Sequence, residues 1–292
     1  EAMHAANPEM RKHLTPEESF SGGVPKTMVG SKGYWKNAFV ELMAMACEYG
    51  IPPFFATFTA NEGGWADCTS ACEGEYYTRR PVEATRQYAH RWSAFKSNFL
   101  TGNTPIGKIA HTWHRQEDQA RASLHVHMAI WTDGPPKPEA ICGMAPRGPD
   151  PTDPEAGLTP AELAWRKFVL NVQRHDCYPP KCYFKKGEST NGVCKYLYPR
   201  HILDRTDEDG APVMYEKNSE TDRFDYRTTK EEDQRLSPYI PLWLLATGAS
   251  MNIQYCTTAG FLSYISKYVT KTEPHGVVGD SAALRRRQGL DS

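Results

Sequence analysis

The run Ser123-Leu-His-Val-His-Met-Ala-Ile-Trp131 restricts the possible folds more than any other stretch of the chain. Its alternation predicts a β-strand. Side chains at i and i+2 share one face of a strand, so Leu124, Val126 and Met128 turn into a core while His125 and His127 stand together on the opposite surface. Two imidazoles side by side make half of a metal site. Residues 112–118 read as the preceding strand of a hairpin, and Glu117 or Gln119 can then supply a third ligand. A His-x-His pair alone more often lines a solvated strand face; here distant elements supply the rest of a constellation.

Helical periodicity appears twice before that strand. In residues 34–49 the apolar positions Trp35, Phe39, Leu42, Met43, Ala46 and Tyr49 recur every three or four, and Gly50 stands where a helix C-terminal glycine belongs. In residues 81–100, Pro81 suits the first helical position, and Ala84, Tyr88, Trp92, Phe95 and Phe99 form an apolar stripe read as core. Between them, residues 54–60 (Phe-Phe-Ala-Thr-Phe-Thr-Ala) predict a buried strand, followed by a loop over 61–67. Residues 106–118 and 123–132 predict the two arms of the hairpin, with its tip at 120–122. A long Pro- and Gly-containing excursion, 133–160, leads to Thr159-Pro-Ala-Glu162, a capping box that starts a helix to about Arg174 with Leu163, Phe168 and Trp165 buried. Beyond a turn at 207–210, residues 213–217 and 224–228 predict a short hairpin, 237–247 is apolar with prolines, and 251–256 predicts a strand with Asn252 and Gln254 on one face. The expected fold class is α+β: a central antiparallel sheet of segments 54–60, 106–118, 123–132 and 251–256 with flanking helices. A polar arm (1–33) precedes the domain (34–272), and a polar tail (273–292) carrying Arg285-Arg-Arg287 follows it.

A second chemical cluster is His175-x-Cys177-x4-Cys182-x11-Cys194. Three thiols and an imidazole are the soft donor set of a structural Zn²⁺, and zinc lets a loop with little core of its own hold a shape. Cys142 is the spare candidate ligand. Glu1 to Thr15 is polar and is not expected to act as a signal peptide, so the eight cysteines are read as thiols and metal ligands instead of a disulfide framework. No apolar run reaches the roughly 20 residues that span a bilayer, so no membrane partner is expected. The formal net charge of −1 excludes a global electrostatic attraction for nucleic acid; any such site must be a local patch. The basic, aromatic run Lys195-Tyr-Leu-Tyr-Pro-Arg-His201 is a candidate patch, able to touch phosphates and stack on bases.

The last periodic segment, 258–271, predicts a helix on which Tyr264 and Tyr268 lie one turn apart on one face, beside Lys267 and Lys271. A phenol can attack a phosphodiester and form a covalent phosphotyrosyl intermediate, a metal offsets the charge that develops, and a nearby ammonium favours the phenolate.

Taken together, Glu117-Asp-Gln-Ala-Arg-Ala-Ser-Leu-His-Val-His-Met-Ala-Ile-Trp131 resembles the His-hydrophobe-His motif of the HUH endonucleases, in the form found in the replication-initiator (Rep) domain of Helitron transposases. Tyr264-Ile-Ser-Lys-Tyr-Val-Thr-Lys271 resembles that family's two-tyrosine motif. Residues 55–61 with Trp65 and Asp67 resemble its conserved strand and loop, and the cysteine-rich stretch resembles its insertion at about 175–200. Ala122 and Leu124 depart from a usual Gly and Pro, and Ser250 and Gln254 from a usual His and Glu. The resemblance implies an HUH/Rep-like fold with a zinc-binding insertion. It implies Mg²⁺ or Mn²⁺ at His125, His127 and Glu117 or Gln119, attack by Tyr264 or Tyr268 leaving a 5′-phosphotyrosine, and DNA contacts at Asn61, Trp65, Arg121, Lys195, Tyr196, Arg200 and Asn252. Single-stranded DNA at transposon ends would be the substrate, the nucleus the compartment, and a helicase domain part of the full-length protein. No Walker-type phosphate loop occurs in these residues. Two rivals remain: a zinc-stabilised DNA-binding module without catalysis, and a hydrolase in which the His pair activates water.

Overall fold

The computed structural model describes residues 32–118, 124–179, 182–185, 188–220 and 223–258. The chain is a mixed α/β protein built on a five-stranded antiparallel sheet. In chain order the elements that position the site are α1 (Lys32–Tyr49), β1 (Phe54–Thr59), α2 (Ala66–Ala71), α3 (Pro81–Phe99), β2 (Asn103–Thr104), β3 (Gly107–Asp118) and β4 (Leu124–Asp133). There follow α4 (Pro160–Val172), two short hairpins, β5 (Phe184–Lys185) with β6 (Glu188–Ser189) and β7 (Tyr215–Asn218) with β8 (Arg223–Tyr226), then α5 (Pro241–Thr247) and β9 (Met251–Tyr255). The sheet order is β2-β3-β4-β1-β9, so β1 and β4 lie inside and are hydrogen-bonded on both edges.

The alternation read from the sequence decides which face is which. Phe54, Ala56 and Phe58 of β1, Val126, Met128 and Ile130 of β4, and Met251 and Ile253 of β9 join the main core. That face is covered by the stripe Ala84, Tyr88, Trp92 and Phe95 of α3, by Trp243 and Leu244 of α5 and by Val169 of α4. The other face is split. Phe55, Trp113, Ala129 and Trp131 pack with Leu42 of α1 and with Cys256, and Trp131 donates its indole N–H to the Gly50 carbonyl at 2.9 Å. Gly50 has φ +81°, the left-handed conformation that ends α1. Beyond this apolar half, the same face turns polar.

Some expectations are corrected. Segment 237–247 contains the helix α5, with Pro241 at its first position and Gly248 (φ +61°) ending it. The expected loop 61–67 is a tight turn followed by α2. Helix α4 has the expected capping box at Thr159 and Glu162, but it buries Arg166 and Val169 while Leu163, Trp165 and Phe168 stay half-buried. The cause is the Arg166 guanidinium, which reaches inward to the Pro146 carbonyl at 2.7 Å and to Glu232 at 2.7 Å. Together with the buried Asp233, which accepts from the Ala145 N–H at 2.9 Å, these bonds fasten the 133–160 excursion to the domain. The segment 258–271 lies almost wholly outside the described residues, as do the arm and the tail.

Core and surface positions should separate sharply. Met128→Ala removes a fully buried side chain and is expected to lower the unfolding free energy by about 2–5 kcal/mol. Val40→Ala, on the exposed side of α1, should stay within about 0.5 kcal/mol. Urea denaturation of the two variants checks the contrast.

Candidate metal and nucleic-acid sites

Strand register arranges the polar half of the sheet into cross-strand rows. Trp113, Ala129, Phe55 and Gln254 form the last apolar-side row. Next comes Arg115, His127, Thr57 and Asn252, and then Glu117, His125 and Thr59. His125 and His127 therefore share a face, with ring centroids 6.5 Å apart. Both imidazoles and Glu117 are buried. Burying such groups is costly unless they are bonded, and they are. His127 Nε2 lies 3.0 Å from Glu117 Oε2, and its Nδ1 lies 3.0 Å from the Thr57 hydroxyl. Thr59 Oγ1 is 3.5 Å from His125 Nε2. The Arg115 guanidinium sits 3.6 Å above the Trp35 ring of α1, and Gln254 donates to Asn252 Oδ1 at 2.8 Å.

Of the two proposed third ligands, Glu117 is in contact with His127, while Gln119 lies outside the described residues, as do Arg121, Tyr264, Lys267, Tyr268 and Lys271. Two imidazoles and a carboxylate are donor types that a divalent cation can take; in this structure His127 and Glu117 are hydrogen-bonded to each other at 3.0 Å. Thr57, Thr59 and Arg115 were not singled out from sequence. The one signal for the threonines is the alternation of 54–60, which puts them opposite Phe58.

Asn61 and Trp65 have structural work. Asn61 Nδ2 donates to the Gly248 carbonyl at 2.9 Å, and Trp65 Nε1 to the Thr247 carbonyl at 3.0 Å. These are carbonyls that a helix end leaves without intrahelical partners, so the 61–65 turn caps α5 and sets where β9 begins. The neighbouring Glu62, also unsignalled in sequence, is buried and accepts from the Leu124 N–H at 3.1 Å, which anchors the start of β4.

The second site is a closed cluster. The ligand atoms of His175, Cys177, Cys182 and Cys194 all lie within 4.8 Å of one another, and it is the one group of this kind among the described residues. His175 Nε2 is 3.4 Å from Cys194 Sγ and 3.7 Å from Cys182 Sγ. A tetrahedral zinc with ordinary Zn–S and Zn–N bonds sets its sulfur and nitrogen about 3.6 Å apart, so the set can hold zinc. The Tyr178 N–H points at Cys182 Sγ (3.3 Å), and Arg235 donates to Cys177 Sγ (3.6 Å), as thiolates require. Burial raises the Cys177 thiol, but hydrogen bonds from Cys194 and Arg235 outweigh it and the net shift is downward. Burial and the nearby Arg235 lower His175, favouring the neutral ligand form. Cys142 is not part of the cluster; its thiol donates to the Met144 carbonyl and its backbone pairs with Tyr239. All eight cysteines are free thiols.

The basic, aromatic run folds onto this cluster. Tyr198 is buried and stacked on His175 with centroids 4.3 Å apart, and Arg200 lies 4.8 Å over its ring. Tyr196 is exposed, with Lys195 Nζ 5.2 Å from its centroid. No helix among the described residues is long and apolar enough to cross a membrane.

If the cluster holds a structural metal, elemental analysis will find one zinc per chain. The Cys177→Ser/Cys182→Ser variant should bind none and melt several degrees lower. Unchanged melting with no zinc in the parent protein would remove the assignment.

A search of curated proteins finds no match. Residues 21–130 match the family model described as the Helitron helicase-like domain at the N-terminus. That segment carries α1, β1, α3, β3 and most of β4, including Glu117, His125 and His127. Over those residues the chain is thus similar to the Rep-related region of Helitron proteins, which suggests a transposon-related role.

Proposed function

We propose that the polar row of the sheet is the cutting site of an HUH-type endonuclease that nicks single-stranded DNA and transfers the strand, the opening step of rolling-circle-type transposition. The observation that carries this is the buried His127–Glu117 contact beside His125, on one face of a rigid sheet. The Helitron-type match over the same residues supports it. His125, His127 and Glu117 would hold Mg²⁺ or Mn²⁺, which when bound withdraws charge from a non-bridging phosphate oxygen. The phenol of Tyr264 or Tyr268 attacks phosphorus. The new Tyr–O–P bond replaces the P–O3′ bond, and the phenolic proton ends on the departing 3′-oxygen, leaving a free 3′-OH and a 5′-phosphotyrosine. Lys267 and Lys271 favour the phenolate. Because one phosphoester replaces another, the second tyrosine can take part in strand transfer. Asn252, in the His127 row, and Arg121 are assigned to strand contact.

Thr57 acts as a positioning residue. A hydroxyl both donates and accepts, so Thr57 can accept from Nδ1–H of His127 whenever the Nε2 lone pair is turned toward a cation. Thr57→Val is expected to raise the Mn²⁺ concentration for half-maximal cleavage about 10–100-fold, with Thr57→Ser restoring it. An unchanged metal requirement in Thr57→Val would end this role.

The main test is a denaturing gel of labelled single-stranded oligonucleotide incubated with protein and Mn²⁺. A covalent adduct is expected, lost in the Tyr264→Phe/Tyr268→Phe variant and in His125→Ala/His127→Ala. Adducts that persist without both tyrosines would discard the nucleophile assignment. Cleavage without any adduct would favour activated water, and binding without cleavage a non-catalytic module.

A further inference from the structure

We infer that the metal-ligand loop is a stacking platform for single-stranded nucleic acid, with Tyr178 and Tyr196 as the surfaces on which bases lie. It deepens the proposed function by placing strand capture on the zinc loop, but its geometry stands without any cleavage chemistry.

The first observation is exposure in an unusual place. Tyr178 is 74% exposed and Tyr196 43% exposed, each next to a metal-ligand residue in sequence or one residue removed. Leu197 and Val193, from the same loop, are exposed as well. Isolated apolar side chains on a surface need no explanation, but several gathered on one short metal-organised loop do.

The second observation is charge. Between Arg174 and Arg200 there are six lysines and arginines against two acidic residues, in a chain whose overall balance is −1. The loop therefore carries a formal net charge of +4, while the rest of the chain is net acidic. Exposed aromatic faces selected for a protein partner need no such concentration. Aromatic faces among cations match a polyanion whose bases are unpaired, since every base offers a π-face while its phosphates take the charge. A duplex keeps its bases stacked on one another and offers only the phosphates.

The third observation is how the loop is held. Cys182 and Cys194 are joined through the backbone, Lys195 N–H to Cys182 O at 2.9 Å, and Leu197 N–H closes a turn on Cys194 O at 2.8 Å. Leu197 sits at φ +65°, an uncommon conformation for a branched side chain. The turn sends Tyr198 inward onto His175, its hydroxyl 2.9 Å from Ser237 Oγ, and leaves Tyr196 edge-on to His175 and facing outward. Tyr198 thus serves as a support, and Tyr196 is the surface it supports. Tyr178 follows Cys177, and its own N–H is tied to Cys182 Sγ. Both tyrosine backbones are fixed by the ligand residues, so little ordering remains to be done on binding.

Placement agrees. Gln173, at the end of α4 and two residues before His175, bonds the edge of β9 through Met251, accepting from its N–H and donating to its carbonyl, both at 2.9 Å. The next residue, Asn252, belongs to the His127 row, and two strand spacings separate it from His127, about 10 Å. The base of the loop and the sheet's polar rows are thus joined through Gln173 and β9.

The test is fluorescence anisotropy with labelled oligothymidylate in buffer free of Mg²⁺ and Mn²⁺, so that neither nicking nor its failure enters. The parent protein should bind the single strand at least tenfold more tightly than a duplex of equal length. Tyr178→Ala/Tyr196→Ala should weaken binding at least tenfold with zinc content and melting unchanged, and Tyr178→Phe/Tyr196→Phe should keep it. Lys195→Gln should instead reduce the salt dependence, by a slope of about 0.7. Parent-like affinity in the double alanine variant, equal affinity for duplex and single strand, or no binding by the parent protein would each overturn the inference.

Discussion

Strand β4 is hydrogen-bonded to β3 on one edge and to β1 on the other, and the whole polar site depends on that double pairing. Because side chains alternate with a period of two, a slip of one residue in either register would exchange Val126 and Met128 for the histidines and bury imidazole in the main core. The main core is what forbids the slip. Val126, Met128 and Ile130 are fully buried in it, and a slip would set imidazoles in their place among apolar side chains, away from Glu117 and Thr57 that now bond them. The hydrophobic face thus sets the geometry of the polar one. On the polar face the Glu117–His127–Thr57 chain of contacts satisfies groups that would otherwise be destabilising at that depth.

The same constraint explains what could be read in advance. Alternation is a strong signal where one face is apolar, so β1, β3, β4 and β9 were legible to within a residue or two, and with them the shared face of His125 and His127. The stripes of α1 and α3 were legible for the same reason at a period of 3.6. Helix α5 was not: it is seven residues long, too short for periodicity, and its segment was read only as apolar with prolines although Pro241 suits a first helical position. The buried side of α4 was misjudged because a pattern of apolar residues cannot anticipate an inward arginine. Arg166 is buried by its partners Glu232 and the Pro146 carbonyl, which lie far away in the chain.

The metal cluster was legible through residue type, not spacing. Three thiols and an imidazole define a donor set however the loop is threaded, and the fold needed only to bring them together. Cys142 shows the limit of that logic: a thiol at a suitable distance in sequence was instead used as a strand-bridge residue beside Tyr239. Asn61 and Trp65 show another limit. Motif resemblance attached them to DNA without any sign that their N–H groups close the end of α5, which the structure shows. They act on the site indirectly, since α5 delivers β9 and β9 delivers Asn252.

The two sites solve one problem by different means. A sheet interior can hold imidazoles and a carboxylate to within a fraction of an ångström, because pairing on both sides and a packed core leave those side chains few alternatives. It cannot also offer a broad, wet, aromatic surface without losing the burial that makes it rigid. The loop that follows α4 has the opposite composition: few core residues, many cations and two exposed rings. Left to itself such a segment would not hold one conformation, because it buries too little to offset the entropy of ordering it. A metal at His175, Cys177, Cys182 and Cys194 would supply that stabilisation from coordination bonds and leave the surface free of any need to pack. Gln173 then joins the two solutions, since one buried amide ties the end of α4 to the edge strand whose next residue stands in the histidine row. Asn252 itself stands about two strand spacings from His127, so the end of α4 and the histidine row are joined through one edge strand.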